Sequence, residues 1–394
     1  MRSALTAGAA LLLSACAVIP EARPPMDTGV VDVPPAEAAT SAALTGVRPG
    51  PPIETFPFLA QDAAGALTAF RASCDKILFL DDASGLTTRI DWQAPCLAAS
   101  NWSSDPAEFF RSQFETAIVG SGDAFATGYF EPEILGSRTR SAQYNVPVYA
   151  MPRDLERAWP ADMPEAERTG RPPLGRYDAN GDFVPYFERS EIVGGALENR
   201  VPTVAWAADP IEFFFLQIQG SGLLRLPDGG VMRIGYAGQN GREYVAIGRP
   251  MREQGLIGEG TGYPTSMQGL VAWLRDNPDR ADEIMNLNKS WIFFRELYTD
   301  GPLGSLEVPV RRGDSVAVDP KFVPYGAPVW LDMEADVADG LWVAQDTGGA
   351  IKGANRFDTF WGNGGDAREI AGAMSSRGKA YVLLPKGTLA RLNP

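Results

Sequence analysis

The sequence has no histidine among its 394 residues and only three cysteines. Without histidine, a Ser-His-Asp or Cys-His nucleophile is excluded, and so is a zinc site with histidine ligands. Three thiols are too few for a four-cysteine zinc site or an iron–sulfur cluster. Any proton transfer by this chain must therefore use Asp, Glu, Lys, Tyr or Cys side chains.

Basic residues are also scarce, with 35 Lys and Arg against 49 Asp and Glu, which gives a net charge of −14. A nucleic-acid-binding protein usually carries a basic surface, so this function is disfavoured, and a carboxylate is the leading candidate for acid–base chemistry. Hydrophobic residues make up 45% of the chain, an ordinary globular fraction. The 42 glycines and 32 prolines predict many turns and a β-rich fold.

The first 16 residues, MRSALTAGAALLLSAC, combine one arginine with a short apolar run that ends at Cys16. The run is too short to span a bilayer and is typical of a secretory signal peptide. The small residues before Cys16 resemble a bacterial lipobox, which predicts cleavage and lipidation at this cysteine. An ordinary signal peptide is the alternative. Ala17 follows the cysteine, and the lack of Asp at that position is typical of sorting to the outer membrane.

Residues 17–54 contain many prolines and almost no aromatic residues, which predicts a tether between the membrane and a folded unit. Cys74 and Cys96 remain after Cys16 is set aside. Export to an oxidising compartment favours a disulfide between them, with two buried free thiols as the alternative. We expect a structural role for this bond.

The folded part divides into helices, a β block, further helices and a second β block. Helical spacing of apolar residues predicts helices at 63–77, 106–120, 265–276, 280–287 and 366–374. Strand-like segments in the first block include AFATGYFEPEIL, YNVPVYAMP, FFFLQIQGSGLLRL, GGVMRIGYAG and REYVAIG. The second block contains SWIFFREL, EVPVRRGDSVAVD, PVWLDME, LWVAQDTGG and KAYVLLP. Short strands between Gly and Pro turns predict a barrel or a sandwich.

Three aspartates of the second β block, Asp319, Asp346 and Asp358, each follow an apolar strand-like run and lie near Gly or Pro. Loops beside strand ends are where functional sites are often built. The glycines between Asp346 and Asp358 allow a close turn, so the two carboxyls could converge, and like charges would then keep one of them protonated. The alternative is that all three are ordinary turn residues.

The segments around these aspartates, SVAVDPKFVPYGAPVWL, AQDTGGAIKG and RFDTFWGNG, resemble the three-aspartate (3D) domain. From about residue 110 onward, the chain resembles the membrane-bound lytic murein transglycosylase A family. The matching segments include TGYFEPEILGSRT, FFFLQIQGSGLLRLPDG, GYAGQNGREYVAIGR and NKSWIFFRE.

This resemblance implies a mainly β protein with some helices, of α+β class. A double-psi β-barrel would be the large domain, built from residues 55–131 and 298–394. A smaller, barrel-like β domain would be inserted at residues 132–297 and would line a groove for a glycan strand.

The resemblance also implies cleavage of the β-1,4 bond between N-acetylmuramic acid and N-acetylglucosamine in peptidoglycan, leaving 1,6-anhydromuramic ends. The family's catalytic aspartate corresponds to Asp358, as the single acid and base. Asp346 would orient the site or keep the proton on Asp358, and Asp319 would fix the loop. Arg356 occupies a position where the family leads us to expect histidine, and close to Asp358 it would lower the pKa of the acid.

Further positions correspond to glycan contacts in the family: Thr127, Gly128, Tyr129, Gln219, Gly220, Ser221, Gly222 and Lys352. The aromatic residues among them could equally belong to the core, and Ser221 could be a simple turn residue. The run 213–215, three phenylalanines, is expected in the core.

Two other functions remain open at this point. A muramidase would use Asp346 and Asp358 with water, and an expansin-like lipoprotein would bind the wall without cleaving it. The expected partners are peptidoglycan glycan strands and, through the lipid anchor, the periplasmic face of the outer membrane. Murein synthesis or scaffold proteins are further candidate partners, and nucleic acid is not expected. Neither a cofactor nor a metal is required, because carboxyl acid–base chemistry needs none.

Overall fold

The computed structural model describes residues 41–392. Cys16 and most of the predicted tether lie outside these residues. The α-helices are α1 (Ala42–Thr45), α2 (Ala60–Ile77), α3 (Gln93–Asn101), α4 (Pro106–Gln113), α5 (Arg189–Val193), α6 (Pro210–Gln219), α7 (Gly248–Glu253), α8 (Met267–Asp276), α9 (Pro278–Asn286), α10 (Gly365–Ala373) and α11 (Thr388–Leu392). Short 3₁₀ helices lie at Ile53–Thr55, Glu165–Glu167 and Asp336–Ala338.

The strands belong to three sheets. They are β1 (Val47–Pro49), β2 (Phe114–Val119), β3 (Asp123–Glu131), β4 (Glu133–Ser137), β5 (Val146–Tyr149), β6 (Glu156–Arg157), β7 (Leu174–Tyr177), β8 (Phe183–Pro185), β9 (Thr203–Ala207), β10 (Ser221–Arg225), β11 (Val231–Gln239), β12 (Ile292–Leu297), β13 (Ser315–Ala317), β14 (Pro328–Met333), β15 (Gly340–Asp346), β16 (Arg356–Asn363) and β17 (Ser375–Pro385).

Six strands close into a barrel in the order β17-β14-β15-β13-β16-β3, and β3 pairs back with β17. The pairs β13–β15 and β16–β3 are parallel, and the others in the ring are antiparallel. Strands β1 and β2 extend this sheet beyond β17. The barrel confirms the predicted α+β class, and the bounds expected for the large domain stay a prediction.

Helix α2 packs against β15 of the barrel, α4 packs against α2 and β2, and α3 packs on α2 and α4. The apolar face of α2 is buried, and its backbone is bound to the barrel through the amide of Gln345, a buried residue of β15. The Gln345 amide donates to the Ala69 carbonyl and the Ser73 hydroxyl, each at 2.9 Å. A disulfide between Cys74 and Cys96, with Cα atoms 5.6 Å apart, joins α2 to α3.

The middle of the chain forms a second β unit. Its six-stranded sheet has the order β12-β11-β10-β4-β9-β5, and a three-stranded sheet, β6-β7-β8, lies beside it. Its apolar core includes Phe213, Trp291, Phe293 and Phe294. We call this part, from β4 to β12, the inserted domain. The residues at which the two domains meet stay a prediction, because β3 and β4 are separated only by Pro132.

Two contacts fix the inserted domain to the barrel. The buried Glu131 carboxylate at the end of β3 accepts from Arg233 of β11, at 2.8 Å to Nε. The Gln219 side-chain oxygen, at the end of α6, accepts from the Phe130 backbone N–H at 3.2 Å. The C-terminal end of β3 is therefore bound to two elements of the inserted domain, α6 and β11.

Four local predictions need correction. The helix expected over 106–120 ends at Gln113, and Phe114–Val119 is a strand that pairs with β17 and β1. Its β-branched residues favour the extended form. The segment 213–219 is part of α6 rather than a strand, because Asp209 caps its N-terminus and Pro210 occupies the first turn.

The segment REYVAIG also forms no strand; it is irregular and leads into α7. The folded part begins earlier than expected, because residues 42–54 of the predicted tether pack on the barrel. Ala42 is fully buried, and Val47–Pro49 pairs with β2. Of the helices in residues 41–392, none has the length and apolar character needed to cross a membrane.

Candidate active site

The three aspartates lie on or beside adjacent barrel strands. Asp346 is the last residue of β15, Asp358 is the third residue of β16, and Asp319 follows β13, which lies between them. In the two strand pairings, Asp346 and Asp358 are both in register with Ala317 of β13. Strands in a sheet are spaced by roughly 4.8 Å, so the two backbones are about 10 Å apart.

Asp358 is partly exposed and has two oxygens in different surroundings. Its Oδ1 accepts from the Thr127 hydroxyl at 2.6 Å. Its Oδ2 has no hydrogen-bond partner within residues 41–392. This oxygen is accessible to solvent rather than buried. One oxygen is therefore fixed and the other is open to the site.

Burial raises the pKa of Asp358 to about 6. The charge of Arg356 and the Thr127 hydrogen bond act in the opposite direction, and the charge of Asp346 adds to the increase. The charge of Arg356 does lower the pKa of Asp358, as expected from the sequence. Desolvation outweighs it, so Asp358 is about half protonated at pH 6 and about one-tenth protonated at pH 7.

Asp346 is held by three donors. Its Oδ1 accepts from the backbone N–H groups of Ser305 and Thr347, both at 2.8 Å, and its Oδ2 accepts from the Tyr129 hydroxyl at 3.0 Å. Burial raises the pKa of this carboxyl, while these donors favour the charged form. With both oxygens engaged, Asp346 is suited to orient its neighbours rather than to activate a water molecule.

Asp319 is buried and stabilises the loop between β15 and β16. Its Oδ2 accepts from the Gly353 backbone N–H at 2.8 Å, and its Oδ1 accepts from that of Lys321 at 3.1 Å. Gly353 has a φ of +90°, a conformation that favours glycine. The side chain of Lys352, in the same loop, is exposed beside the site.

The segment 127–129 of β3 runs parallel to β16, and its two polar side chains face the aspartates. Thr127 lies opposite Asp358 and Tyr129 donates to Asp346. The Tyr129 ring also packs on Phe360, with centroids 4.9 Å apart. Gly128 faces the other way, where a Cβ atom would lie 2.9 Å from the Ala371 Cα atom. Thr127 and Tyr129 therefore belong to the site, and Gly128 is needed for packing against α10.

The segment 219–222 mainly serves the fold. Gln219 accepts from the Phe130 backbone, and Gly220 ends α6 with a φ of +79°. Gly222 is buried, and a Cβ atom there would lie 2.3 Å from Leu216 Cδ1. Packing against Leu216 accounts for a glycine at this position, whereas Ser221 stays partly exposed, and the substrate contacts expected of both residues stay predictions. Phe213 and Phe214 are buried as expected, and Phe215 is partly buried.

Sequence reasoning missed Tyr244, which approaches the site from the inserted domain. Its Cβ and Cγ atoms lie against the position where a Gly349 Cβ atom would be, 3.9 Å away. Burial raises the pKa of Tyr244 to about 12, and the charge of Asp358 contributes to the increase. Tyr244 belongs to the inserted domain and interacts electrostatically with Asp358 of the barrel, and we call the region between these two residues the groove.

No group of three or more His, Cys, Asp or Glu side chains in residues 41–392 has a geometry that could hold a metal ion. The three aspartates accept hydrogen bonds from protein donors instead. The arrangement provides one carboxyl with a raised pKa, an adjacent carboxylate fixed by donors, and an aromatic residue opposite them. These groups suit acid–base catalysis on a polar, uncharged substrate.

Comparison with known proteins agrees with this geometry. The family model described as the MltA specific insert domain matches residues 125–295, and that of the 3D domain matches residues 314–384. A curated relative, membrane-bound lytic murein transglycosylase A of Vibrio cholerae, is 27% identical over 296 residues, which cover 71% of this chain and 72% of the relative.

Two solved structures are also similar. MltA from Neisseria gonorrhoeae is 35% identical with a TM-score of 0.72, and the match covers 86% of this chain and 93% of that one. A membrane-bound lytic murein transglycosylase from Agrobacterium tumefaciens is 27% identical with a TM-score of 0.78, covering 88% of this chain and 100% of that one. The chain therefore belongs to the MltA family of membrane-bound lytic murein transglycosylases.

Proposed function

We propose that this protein cleaves the glycan strand of peptidoglycan as a lytic transglycosylase, with Asp358 as the single acid and base. The bond cleaved is the β-1,4 link between N-acetylmuramic acid and N-acetylglucosamine. The observation that carries the proposal is the unequal environment of Asp358. One oxygen accepts from Thr127, the other is open, and burial raises the pKa to about 6.

In the first half of the reaction, protonated Asp358 gives its proton to the glycosidic oxygen. The bond between C1 of the muramic residue and that oxygen breaks, and the N-acetylglucosamine side leaves as an alcohol. In the second half, the C6 hydroxyl of the same muramic residue attacks C1. A bond forms between C1 and O6, and the hydroxyl proton passes to the Asp358 carboxylate, which restores the acid.

No water is consumed, because the nucleophile belongs to the substrate. An intramolecular hydroxyl has a high effective concentration and needs no second carboxylate to activate it. This agrees with Asp346, whose two oxygens accept from Ser305, Thr347 and Tyr129. A hydrolase of the paired-carboxylate type would require a carboxylate free to activate water or attack the sugar.

The test is a digest of purified peptidoglycan, followed by mass spectrometry of the released muropeptides. We expect ends that are one water lighter than reducing ends. Asp358→Asn should lower the release at least ~100-fold, the usual contribution of a general acid, while binding to insoluble murein persists. Asp123→Asn is the matched control, because Asp123 is an exposed aspartate of β3, the strand that pairs with β16, and it forms an ion pair with Lys379.

Reducing ends alone would establish the muramidase reaction and refute the transglycosylase proposal. Full activity in Asp358→Asn would refute the assignment of the acid. Binding to murein without the release of any product by the wild-type protein would support the expansin-like alternative.

We also propose that a lipid on Cys16 holds the enzyme at the periplasmic face of the outer membrane. The small residues before Cys16 support this, as does the description of the relatives as membrane-bound. Labelling with a radioactive fatty acid should mark the wild-type protein and not Cys16→Ala. The variant should appear in the soluble periplasmic fraction, and labelling of the variant would contradict the proposal.

A further inference from the structure

The Thr127 hydroxyl lies between a cation and the proposed acid. Arg356 Nη2 donates to Thr127 Oγ1 at 2.9 Å, and Thr127 Oγ1 donates to Asp358 Oδ1 at 2.6 Å. Three residues on two paired strands thus form a chain of hydrogen bonds that ends on one oxygen of the carboxyl. None of the three depends on a flexible loop, because β3 and β16 are in parallel register here.

The first two members of this chain, Arg356 and Thr127, are fixed by other contacts. The Arg356 guanidinium lies over the Phe125 ring, 4.9 Å from its centroid, and also donates to the Phe357 carbonyl. The Thr127 backbone carbonyl accepts from the Thr359 hydroxyl at 2.9 Å. The Thr127 side chain therefore has a defined position between Arg356 and Asp358.

The direction of the hydrogen bonds follows from the chemistry of the groups. A guanidinium has donors only, so Thr127 must accept from Arg356. A hydroxyl that accepts from a cation becomes a stronger donor, because hydrogen bonds in a chain polarise one another. The single Thr127 proton is then directed at Asp358 Oδ1, and this oxygen acts as an acceptor.

We propose that Arg356 is a positioning residue, which acts through Thr127 to keep the transferable proton of Asp358 on Oδ2, the oxygen that is open to the groove. A proton on Oδ1 would face Thr127 and could not reach the glycosidic oxygen. The inference rests on the proposed function, in which Asp358 is the acid. It assigns to Arg356 a role distinct from the direct effect of its charge on that acid.

The other titratable groups facing Asp358 are Asp346 of β15, Tyr129 of β3 and Tyr244 of the inserted domain. None of them contacts Thr127 Oγ1 within residues 41–392. These groups interact with the charge of Asp358 electrostatically and take no part in the hydrogen bonds of the chain. The orientation of its proton is set by the chain from Arg356 alone.

The experiment compares kcat and KM across pH for Arg356→Met, Thr127→Val and the double variant, using purified peptidoglycan. We expect each single variant to lower the low-pH plateau of kcat roughly 10- to 100-fold, with KM changed less than ~3-fold. The double variant should be no slower than Thr127→Val, because both changes break the same chain. Thr127→Ser keeps the hydroxyl and should keep kcat within ~3-fold of the wild type.

Arg377→Met is the matched control. Arg377 lies over the same Phe125 ring, 5.6 Å from its centroid, so its loss removes a similar packing contact without touching Thr127. It should leave the plateau unchanged. Thermal unfolding of all variants verifies that the barrel is folded, and Arg356→Met compared with Arg377→Met provides the test if Thr127→Val does not fold.

Three outcomes would overturn the inference. The losses in the double variant could multiply, which would mean that Arg356 and Thr127 act independently. Arg356→Met could shift the pH dependence of kcat and leave its low-pH plateau unchanged. Arg356 would then act only through the effect of its charge on the pKa of Asp358. Arg356→Met could raise KM alone, which would make Arg356 a glycan contact. Failure of the proposed function itself is a separate result, since it would appear as activity in Asp358→Asn.

Discussion

Asp346 and Asp358 are on different strands, yet they share one register partner, Ala317 of the strand between them. Their side chains therefore emerge on the same face of the barrel about 10 Å apart at the backbone. The two carboxyls differ in their partners: Asp346 accepts three hydrogen bonds, and Asp358 accepts one, from Thr127. Asp346 is therefore a carboxylate fixed by its partners, and Asp358 keeps one oxygen free to act as an acid.

Tyr129→Phe should slow the reaction without unfolding the protein. The change removes the hydroxyl that donates to Asp346 Oδ2 and keeps the ring packed on Phe360. Loss of a hydrogen bond to a charged group costs about 1.5–3 kcal/mol, so we expect kcat to fall roughly 10- to 100-fold. Tyr177→Phe is a control, because Tyr177 is exposed in the inserted domain. An unchanged kcat would show that Asp346 needs no fixed orientation.

Activity should fall as the pH rises through about 6, the pKa to which burial raises Asp358. The first step needs the protonated acid, so kcat/KM should drop about tenfold for each pH unit above this value. The measurement is the initial rate of muropeptide release between pH 4.5 and 8 at low substrate concentration. A rate that is constant over this whole range would contradict the role of Asp358 as acid.

Asp358→Asn should stabilise the folded protein at neutral pH. The pKa of Asp358 is about 6 in the folded state, against 3.8 without burial, so its contribution to the free energy of unfolding is complete below pH 4 and is lost as the pH rises through 6. Asparagine has no charge to bury, so we expect a gain of about 1–2 kcal/mol at pH 7, allowing for partial exposure.

Urea denaturation at pH 4, 5, 6 and 7 measures this effect. The control is Asp123→Asn, because Lys379 lowers the pKa of Asp123 and the sign of its effect is opposite. This control should show no gain at pH 7. Equal stability of Asp358→Asn and the wild type at every pH would contradict the raised pKa.

Asp319→Ala should loosen the loop between Asp346 and Asp358. The loop is tied to Asp319 by the Gly353 N–H at 2.8 Å, and loss of this buried acceptor costs about 1–3 kcal/mol. Lys352 is exposed in the loop, so trypsin should cleave the variant there faster than the wild type. Adding Lys352→Gln should abolish this cleavage. Equal cleavage rates in Asp319→Ala and the wild type would show that the loop is held by other contacts.

Replacing Cys74 and Cys96 together with serine should destabilise the protein without altering the chemistry. The bond joins residues separated by 22 positions, and a loop of that size is worth about 3 kcal/mol in the chain-entropy model. The change should appear as a lower urea midpoint, while kcat at 20 °C is retained. A loss of kcat in the folded variant would mean that α2 and α3 influence the site.

The site could be found from the sequence because strand ends, glycines and aspartates occur together around Asp319, Asp346 and Asp358. The barrel itself came from the family resemblance, since closure between β3 and β17 joins residues about 250 positions apart in the chain and leaves no local pattern. The apolar run at 213–219 fits a strand or a buried helix equally well. Only the cap at Asp209 and Pro210 separates the two.

Tyr244 could not be predicted, because it lies in an irregular segment and reaches the site only when the two domains come together. The pKa of Asp358 could not be predicted either. Arg356 is visible in the sequence, whereas the burial that outweighs its charge depends on the whole fold. The family pattern at 219–222 suggested glycan contacts, but packing explains one of its residues. Gly222 lies against Leu216, where a larger side chain would not fit.

The contacts that fix β3 to the inserted domain have a consequence for substrate recognition. Glu131 binds Arg233, and Gln219 binds the Phe130 backbone, at the junction of the two domains. Both contacts restrain the movement of the two domains relative to each other at this junction. A preorganised cleft loses little conformational entropy on binding, so even the weak forces available from uncharged sugars can yield useful affinity. The restrained junction thereby favours the binding of a glycan, whose sugar backbone offers the protein no charge to attract.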